Sequence, residues 1–449
     1  MMRSHQVASR CRLAKAKGVG SPTITAASGR GSAITRGKRI GSVASVDAVS
    51  SRFHNAGICP SVMGHSQRSP SLLPGLPVLR QSLHRQFASQ PQTGSLAISD
   101  SGDPELLLQA VRRHRLALVL ISSPEVHSWS SDTLAALREE ARQQQRAALA
   151  LIADTLEVVA ALQSSGLRAL LLKGPALALQ TTGQPWSRGS GDIDVLVAPA
   201  DLPRALAVLQ GLGFCQPPGQ FPRHLSTFWG RYCRWVGHEL PMKRHSRWLD
   251  LHWALNTVRA PLPAFDTLWV ERQTLALNHH AVPTLSMEHA FRHACVHAAS
   301  DQWMELRQLV DLALLARRMP PQAGQRLRRL RSVRLSCATA YDATGCAELL
   351  PFTDLSRSDC RKAIARARWT QERPPRTTAE GAWHPGHWLG TVRQRSSLSS
   401  SPIDWLRVIA RFSLLPAAFN DPLTGEDVGL LGMLQSRRRR LRQRLEEHP

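Results

Sequence analysis

No two cysteines stand close enough to make a zinc knuckle or a redox motif. Cys11, Cys59, Cys215, Cys233, Cys295, Cys337, Cys346 and Cys360 are scattered along the chain, a pattern that suits reduced thiols in a cytoplasmic protein. Long apolar runs are missing too: stretches such as Leu116 to Ile121 fall far short of the roughly 18 residues that announce a membrane span. Internal repeats are absent. Acidic residues are scarce, 33 Asp plus Glu against 57 Lys plus Arg, and the formal charge of +24 draws in nucleotides, nucleic acid or acidic membrane surfaces without choosing among them. The scarcity is greatest at the start, where Asp47 is the only acidic side chain before Asp100 in a stretch rich in Ser, Gly and Arg. Such a stretch buries too little to offset the entropy of ordering it. Residues 1–102 are therefore expected to be a disordered basic extension, readable as an organelle transit peptide or as a mis-assigned start.

After residue 102 the texture of the chain changes. With 43% hydrophobic residues the chain has material for a large core. Asp103-Pro104-Glu105 followed by Leu106, Leu107, Ala110 and Val111 announces a helix. A second pattern covers Arg112 to Leu120, and a long one runs from Ser131 to Ser164, closed by Gly166. Ala169 to Leu172 is of strand length, Pro175 to Gln180 reads as a helix, and Ile193 to Val197 is a buried strand. Asp201 caps a helix ending at Gly211 or Gly213. Trp248 to Trp253 is a third strand, and two helices from Ser286 to about Arg318 break near Ser300-Asp301. Strands interleaved with helices, then helices alone, suggest a sheet-based core with a helical annex. Residues 371–402, rich in Pro, Ser, Thr and Arg, read as a linker, and Arg437 to Arg444 as a solvated helix face.

The chemistry concentrates in three places. Asp192-Ile193-Asp194 opens a strand, and alternation puts both carboxylates on one face while Ile193, Val195 and Val197 enter the core. Adjacent carboxylates repel, so a cation between them is implied, and hard oxygen donors favour Mg²⁺ or Mn²⁺. Asp250 and His252 share the face of their own strand opposite Leu249 and Leu251. If the two strands are neighbours, three carboxylates converge and can hold two ions for phosphoryl or nucleotidyl transfer. Leu172-Lys173-Gly174-Pro175 joins strand to helix, where Gly174 admits close backbone approach, the helix start offers amides to a phosphate, and Lys173 adds charge. Arg188 is placed to fork onto a triphosphate oxygen; for both Lys173 and Arg188 an ordinary structural, snorkelling role is the alternative.

Leu171-Leu172-Lys173-Gly174, Arg188 with Gly191-Asp192-Ile193-Asp194-Val195-Leu196-Val197, Gly213-Phe214, and Leu249-Asp250-Leu251-His252-Trp253 together resemble the uncharacterised nucleotidyltransferase family of the polymerase-β superfamily. The likeness extends weakly through His297, Trp303, Leu306-Arg307 and Asp311, over roughly residues 103 to 445. It implies an α+β fold: a polymerase-β-like palm, a short mixed sheet with helices, carrying helical N-terminal and C-terminal segments. It also implies that Asp192, Asp194 and Asp250 hold two Mg²⁺ ions, that Asp250 helps deprotonate the acceptor, and that Lys173, Gly174 and Arg188 face the triphosphate. The superfamily's Gly-Ser before its aspartates is Lys173-Gly174-Pro175 here, the interval to Asp192 is longer, and Asp301 stands where relatives often carry histidine.

The layout expected is a helical lead-in at 103–167, a nucleotidyltransferase core at 168–284, a helical domain at 285–370, the linker at 371–402 and C-terminal helices with a basic tail at 403–449. His289, His293 and His297 recur every four residues without the glutamate of a zinc protease, so they read as a packed helix face. His252 divides evenly between a site residue and a packed one, Asp311 reads as the structural partner of an arginine, and Trp253 and Trp303 as core. A pocket-lining loop is expected from about Pro217 to Met242, without a legible pattern; its aromatic and basic residues suit base stacking and core packing equally. The expected activity is Mg²⁺-dependent transfer of a nucleoside monophosphate from an NTP to a small molecule, a protein or RNA. The alternatives are a catalytically idle nucleotide- or nucleic-acid-binding relative and, more weakly, a toxin-like enzyme acting on tRNA.

Overall fold

The computed structural model describes residues 73–88, 104–124, 126, 129–217, 221–222, 224–373, 385–414 and 435. The elements are, in order, α1 (Leu76–Phe87), α2 (Pro104–His114), α3 (Ala117–Leu120), α4 (Ser131–Ser164), β1 (Ala169–Leu171), α5 (Pro175–Thr182), β2 (Asp192–Val197), α6 (Leu202–Gly211), α7 (Phe228–Val236), β3 (Glu239–Arg244), β4 (Arg247–His252) and α8 (Phe265–Val270). Then come β5 (Gln273–Leu277), β6 (His280–Thr284), α9 (Met287–Ser300), α10 (Leu306–Ala316), α11 (Ala323–Leu327), α12 (Arg331–Thr344), a 3-10 turn at Ala347–Phe352, α13 (Ser358–Gln371), α14 (Pro385–Ser396) and α15 (Pro402–Leu414).

The six strands form one mixed sheet in the order β3-β4-β2-β1-β6-β5. β2 runs parallel to β4 and β1 parallel to β6, while the remaining pairs are antiparallel. Strand alternation sorts the side chains into two cores. Ala169, Leu171, Ile193, Val195, Leu249 and Leu251 pack with apolar residues of α4, α6 and α7. Leu170, Leu172 and Leu196 point the other way, into the core built by α9, α10 and α12. All six residues of β2 are buried, so its two aspartates lie in the interior between the sheet and the helical annex. By length and composition α4 alone, among the described residues, could cross a membrane; here Leu151, Ile152, Val158, Val159 and Leu162 pack in the sheet's core. Ser130 caps it, accepting from the Thr133 amide at 3.3 Å, as N-cap serines do.

Four expectations need correction. The stretch 1–102 contains a folded helix, α1, whose Leu76, Leu79, Leu83 and Phe87 are buried in the helical core; the stripe at helical spacing outweighs the polar composition around it. The stretch 371–402 contains α14, and Gln394 donates to the Ala299 carbonyl at 2.9 Å. The helix expected from Arg112 to Leu120 is divided at Arg115, whose φ of 55° lies outside helical space. The loop expected at Pro217 to Met242 holds α7 and the first four residues of β3. A further hairpin, β5-β6, turns at Asn278 and His279, both at positive φ, as a two-residue hairpin loop of the primed type requires. Arg437 to Arg444 lie outside the described residues.

Because α1 fills the helical core, Leu83→Ala should lower the unfolding free energy by about 2–5 kcal/mol, read from the midpoint shift in urea at constant slope. An unchanged midpoint would place α1 outside the cooperative unit.

Candidate metal and nucleotidyl-transfer site

Parallel pairing of β2 with β4 puts Asp194 opposite Asp250, with Ile193 opposite Leu249 and Val195 opposite Leu251. The apolar partners anchor both strands in one core, so register is fixed by burial, and the intervening carboxylates are forced together on the other face. Asp194, Asp250 and His252, all buried, bring one ligand atom each within 4.8 Å of the others. Asp192 is opposite Trp248. It shares the face of Asp194 but stands outside that group of three, and its Oδ1 accepts from the Ser190 hydroxyl at 3.3 Å. Two carboxylates and an imidazole buried together fit a divalent ion, which would neutralise charges that otherwise repel.

The structure places a protein cation in this group. Lys173 Nζ lies 3.3 Å from Asp194 Oδ1, and His252 Nε2 lies 3.2 Å from the same oxygen. Lys173 is held there by its strand: the Leu172 amide donates to the Asp194 carbonyl at 3.0 Å, so the next residue emerges beside Asp194. Gly174 then turns with φ 57° and ψ −125° before Pro175 starts α5, a conformation open to glycine almost alone. A Cβ there would also meet Ser190 Oγ at 3.4 Å.

Arg188 does not reach outward. Its Nε and Nη2 fork onto the Asp311 carboxylate at 2.9 and 2.8 Å, which makes Asp311 the arginine partner it resembles in the sequence. Burial pulls this guanidinium down, but Asp311, and beyond it Asp192 and Asp194, hold its pKa above the ordinary value. Beside it Arg307 is pushed down to about 9 by burial and by Arg188. It donates to the Gly189 carbonyl at 2.5 Å and so fixes the loop that presents Asp192.

Three features of the site escape prediction from the sequence. Glu239 on β3 is the register partner of His252. Burial would raise its pKa, but His238, His252 and Lys173 hold it well below the usual carboxylate range. His293 on α9 is held well below an ordinary histidine by burial and then by Lys173 and His252, which places it over the site. A small pocket of about 20 Å³ is lined by Lys173, Arg188, His293, His297, Gln308 and Asp311 among others. The four-residue spacing of His293 and His297 was the available signal, and β4 was the signal for Glu239, since a strand carrying Asp250 and His252 needs a neighbour on each side. His289 instead meets Glu271 at 2.7 Å.

The described cysteines, Cys215, Cys233, Cys295, Cys337, Cys346 and Cys360, are free thiols. The profile of a family described as uncharacterised nucleotidyltransferase matches residues 100–351, more than half of the chain. No curated protein and no solved structure matches.

The Arg188–Asp311 fork is buried, so Asp311→Ala should cost about 3–5 kcal/mol by stranding the guanidinium, whereas Arg188→Met with Asp311→Leu should recover most of the loss. Urea unfolding of the two singles and the double tests this; a single-variant loss of about 1 kcal/mol or less would mark a solvated pair instead.

Proposed function

The chain belongs to that uncharacterised nucleotidyltransferase family, and from this premise we propose that it moves a nucleoside monophosphate from an NTP to an acceptor hydroxyl or phosphate, with Mg²⁺ or Mn²⁺ held at Asp192, Asp194 and Asp250. The observation that supports the reading most is the register pairing of Asp194 with Asp250 on parallel strands. We read the sheet as a polymerase-β-like palm on the same ground. Bound at these carboxylates, divalent ions would neutralise the triphosphate and the charge that develops in the transition state.

The chain's own residues then divide the work. Asp250 accepts the acceptor's proton as its oxygen bonds to the α-phosphorus and the bond to the bridging oxygen breaks, with pyrophosphate leaving. His252 holds the Asp194 carboxylate in place through Nε2. Lys173 has two stations, Asp194 in the structure and a triphosphate oxygen when substrate is present, since the same ammonium is positioned beside the pocket that His293 and His297 line. Gly174 lets the phosphates approach the backbone at the start of α5. Arg188, spent on Asp311, adds positive potential at the rim and keeps the Asp192 loop in position. Free thiols at the described cysteines favour a reducing, cytoplasmic setting.

A second reading has one observation in its favour: Lys173 already compensates Asp194, as befits an idle relative that binds nucleotide or nucleic acid. The two are separated by incubating the full chain with each α-labelled NTP, Mg²⁺ and cell extract. Label transfer supports the enzyme, and steeply salt-dependent RNA binding with no transfer supports the binder. Asp194→Asn and Asp250→Asn should each abolish Mg²⁺-dependent NTP binding in calorimetry with circular dichroism unchanged; binding retained in both would overturn the metal assignment.

A further inference from the structure

Beside the aspartates lies a second donor set of different chemistry. His238, Glu239 and His252 also bring one ligand atom each within 4.8 Å of one another. His238 Nε2 is 3.3 Å from Glu239 Oε2, and His252 Nε2 is 3.6 Å from the same oxygen. Around a tetrahedral ion with bonds of about 2.0–2.1 Å, ligand atoms stand roughly 3.3–3.4 Å apart, so the spacing is already near that of a filled site. The set is rigid. β3 and β4 are paired with Glu239 opposite His252, and the His238 carbonyl accepts from the Trp253 amide at 2.9 Å.

We propose that His238, Glu239 and His252 bind a first-row transition ion, zinc or a relative of zinc, at a site that shares His252 with the Asp194–Asp250 group but takes no aspartate. Two imidazoles and a carboxylate make a nitrogen-rich set that suits such ions and not Mg²⁺. A metal-bound histidine normally hands its other ring nitrogen to a polar partner, which fixes its tautomer. His238 Nδ1 has that partner in the fully buried Thr257 hydroxyl at 3.2 Å. His252 Nδ1 is buried without a hydrogen bond, so His252 lacks the outer partner that His238 has. Charge permits the ion, because Glu239 is a fourth carboxylate beside Asp192, Asp194 and Asp250. Arg395 and Arg411 interact with it from the C-terminal helices, Arg395 also reaching Asp301 at 4.0 Å. An ion here would pin the edge strand β3 to β4 and take His252 Nε2 from its 3.2 Å contact with Asp194.

The site does not depend on nucleotidyl transfer, so its test is separate. The full chain, freed of metal, is titrated with Zn²⁺ in excess Mg²⁺, and the wild-type zinc complex is examined by X-ray absorption, which needs no substitution. One ion per chain with two imidazoles in its shell is expected. His238→Gln and Glu239→Gln should weaken zinc binding at least about tenfold, and Thr257→Val by a similar factor through the outer shell, while Asp250→Asn leaves it nearly unchanged. The proposal is overturned by no zinc uptake in excess Mg²⁺, by a shell with fewer than two imidazoles, or by Asp250→Asn weakening binding as much as His238→Gln. That last result would mean one ion shared with the aspartates.

Discussion

Two carboxylates, Asp194 and Asp250, face each other across parallel strands in the interior, and their repulsion sets the terms for what surrounds them. Two like charges removed from water are tolerable only with nearby positive charge. The chain supplies the Lys173 ammonium at 3.3 Å from Asp194 Oδ1, and His252 Nε2 lies 3.2 Å from the same oxygen as a polar partner. The strands cannot relieve the repulsion by slipping one residue, because that would turn Leu249 and Leu251 out of the core. Apolar packing on one face of the sheet thus enforces charge crowding on the other.

The same constraint explains the roof. α9 and α10 cover the aspartate face, and the groups they bring to it are either neutralised or cationic. His293 stays neutral through burial and the neighbouring Lys173. Asp311 is consumed by Arg188, so it adds no free anion. Lys173 also links the two halves of the site, touching Asp194 on one side and lining the pocket on the other. Displacing that ammonium from Asp194 is the cost of admitting a divalent ion; its availability to an anionic substrate is the compensation.

Much of this was legible in the residues alone. Alternation fixed which residues of Asp192-Ile193-Asp194 and Leu249-Asp250-Leu251-His252 turn to the core, and α4 ends where its periodicity and Gly166 place the end. What could not be read is long-range or locally disguised. Strand adjacency is not written in either strand, so the proximity of Asp250 remained conditional until the sheet was seen. Arg188 looks like a phosphate ligand until α10, more than a hundred residues later, delivers Asp311. Glu239 is hidden because β3 carries Pro241, which reads against a strand but is tolerated in one at the sheet's edge. The stripe of α1 is clear in retrospect, yet four apolar positions were outweighed by the Ser, Gly and Arg around them.

The central claim is that the β2–β4 pairing builds a divalent-ion site. Crystals grown with Mn²⁺ and a non-hydrolysable NTP analogue test it directly through the anomalous signal of manganese. A peak bonded to both Asp194 and Asp250, with Lys173 moved off Asp194, is the result expected. Nucleotide bound with no manganese at either carboxylate, and Lys173 still seated on Asp194, would contradict it.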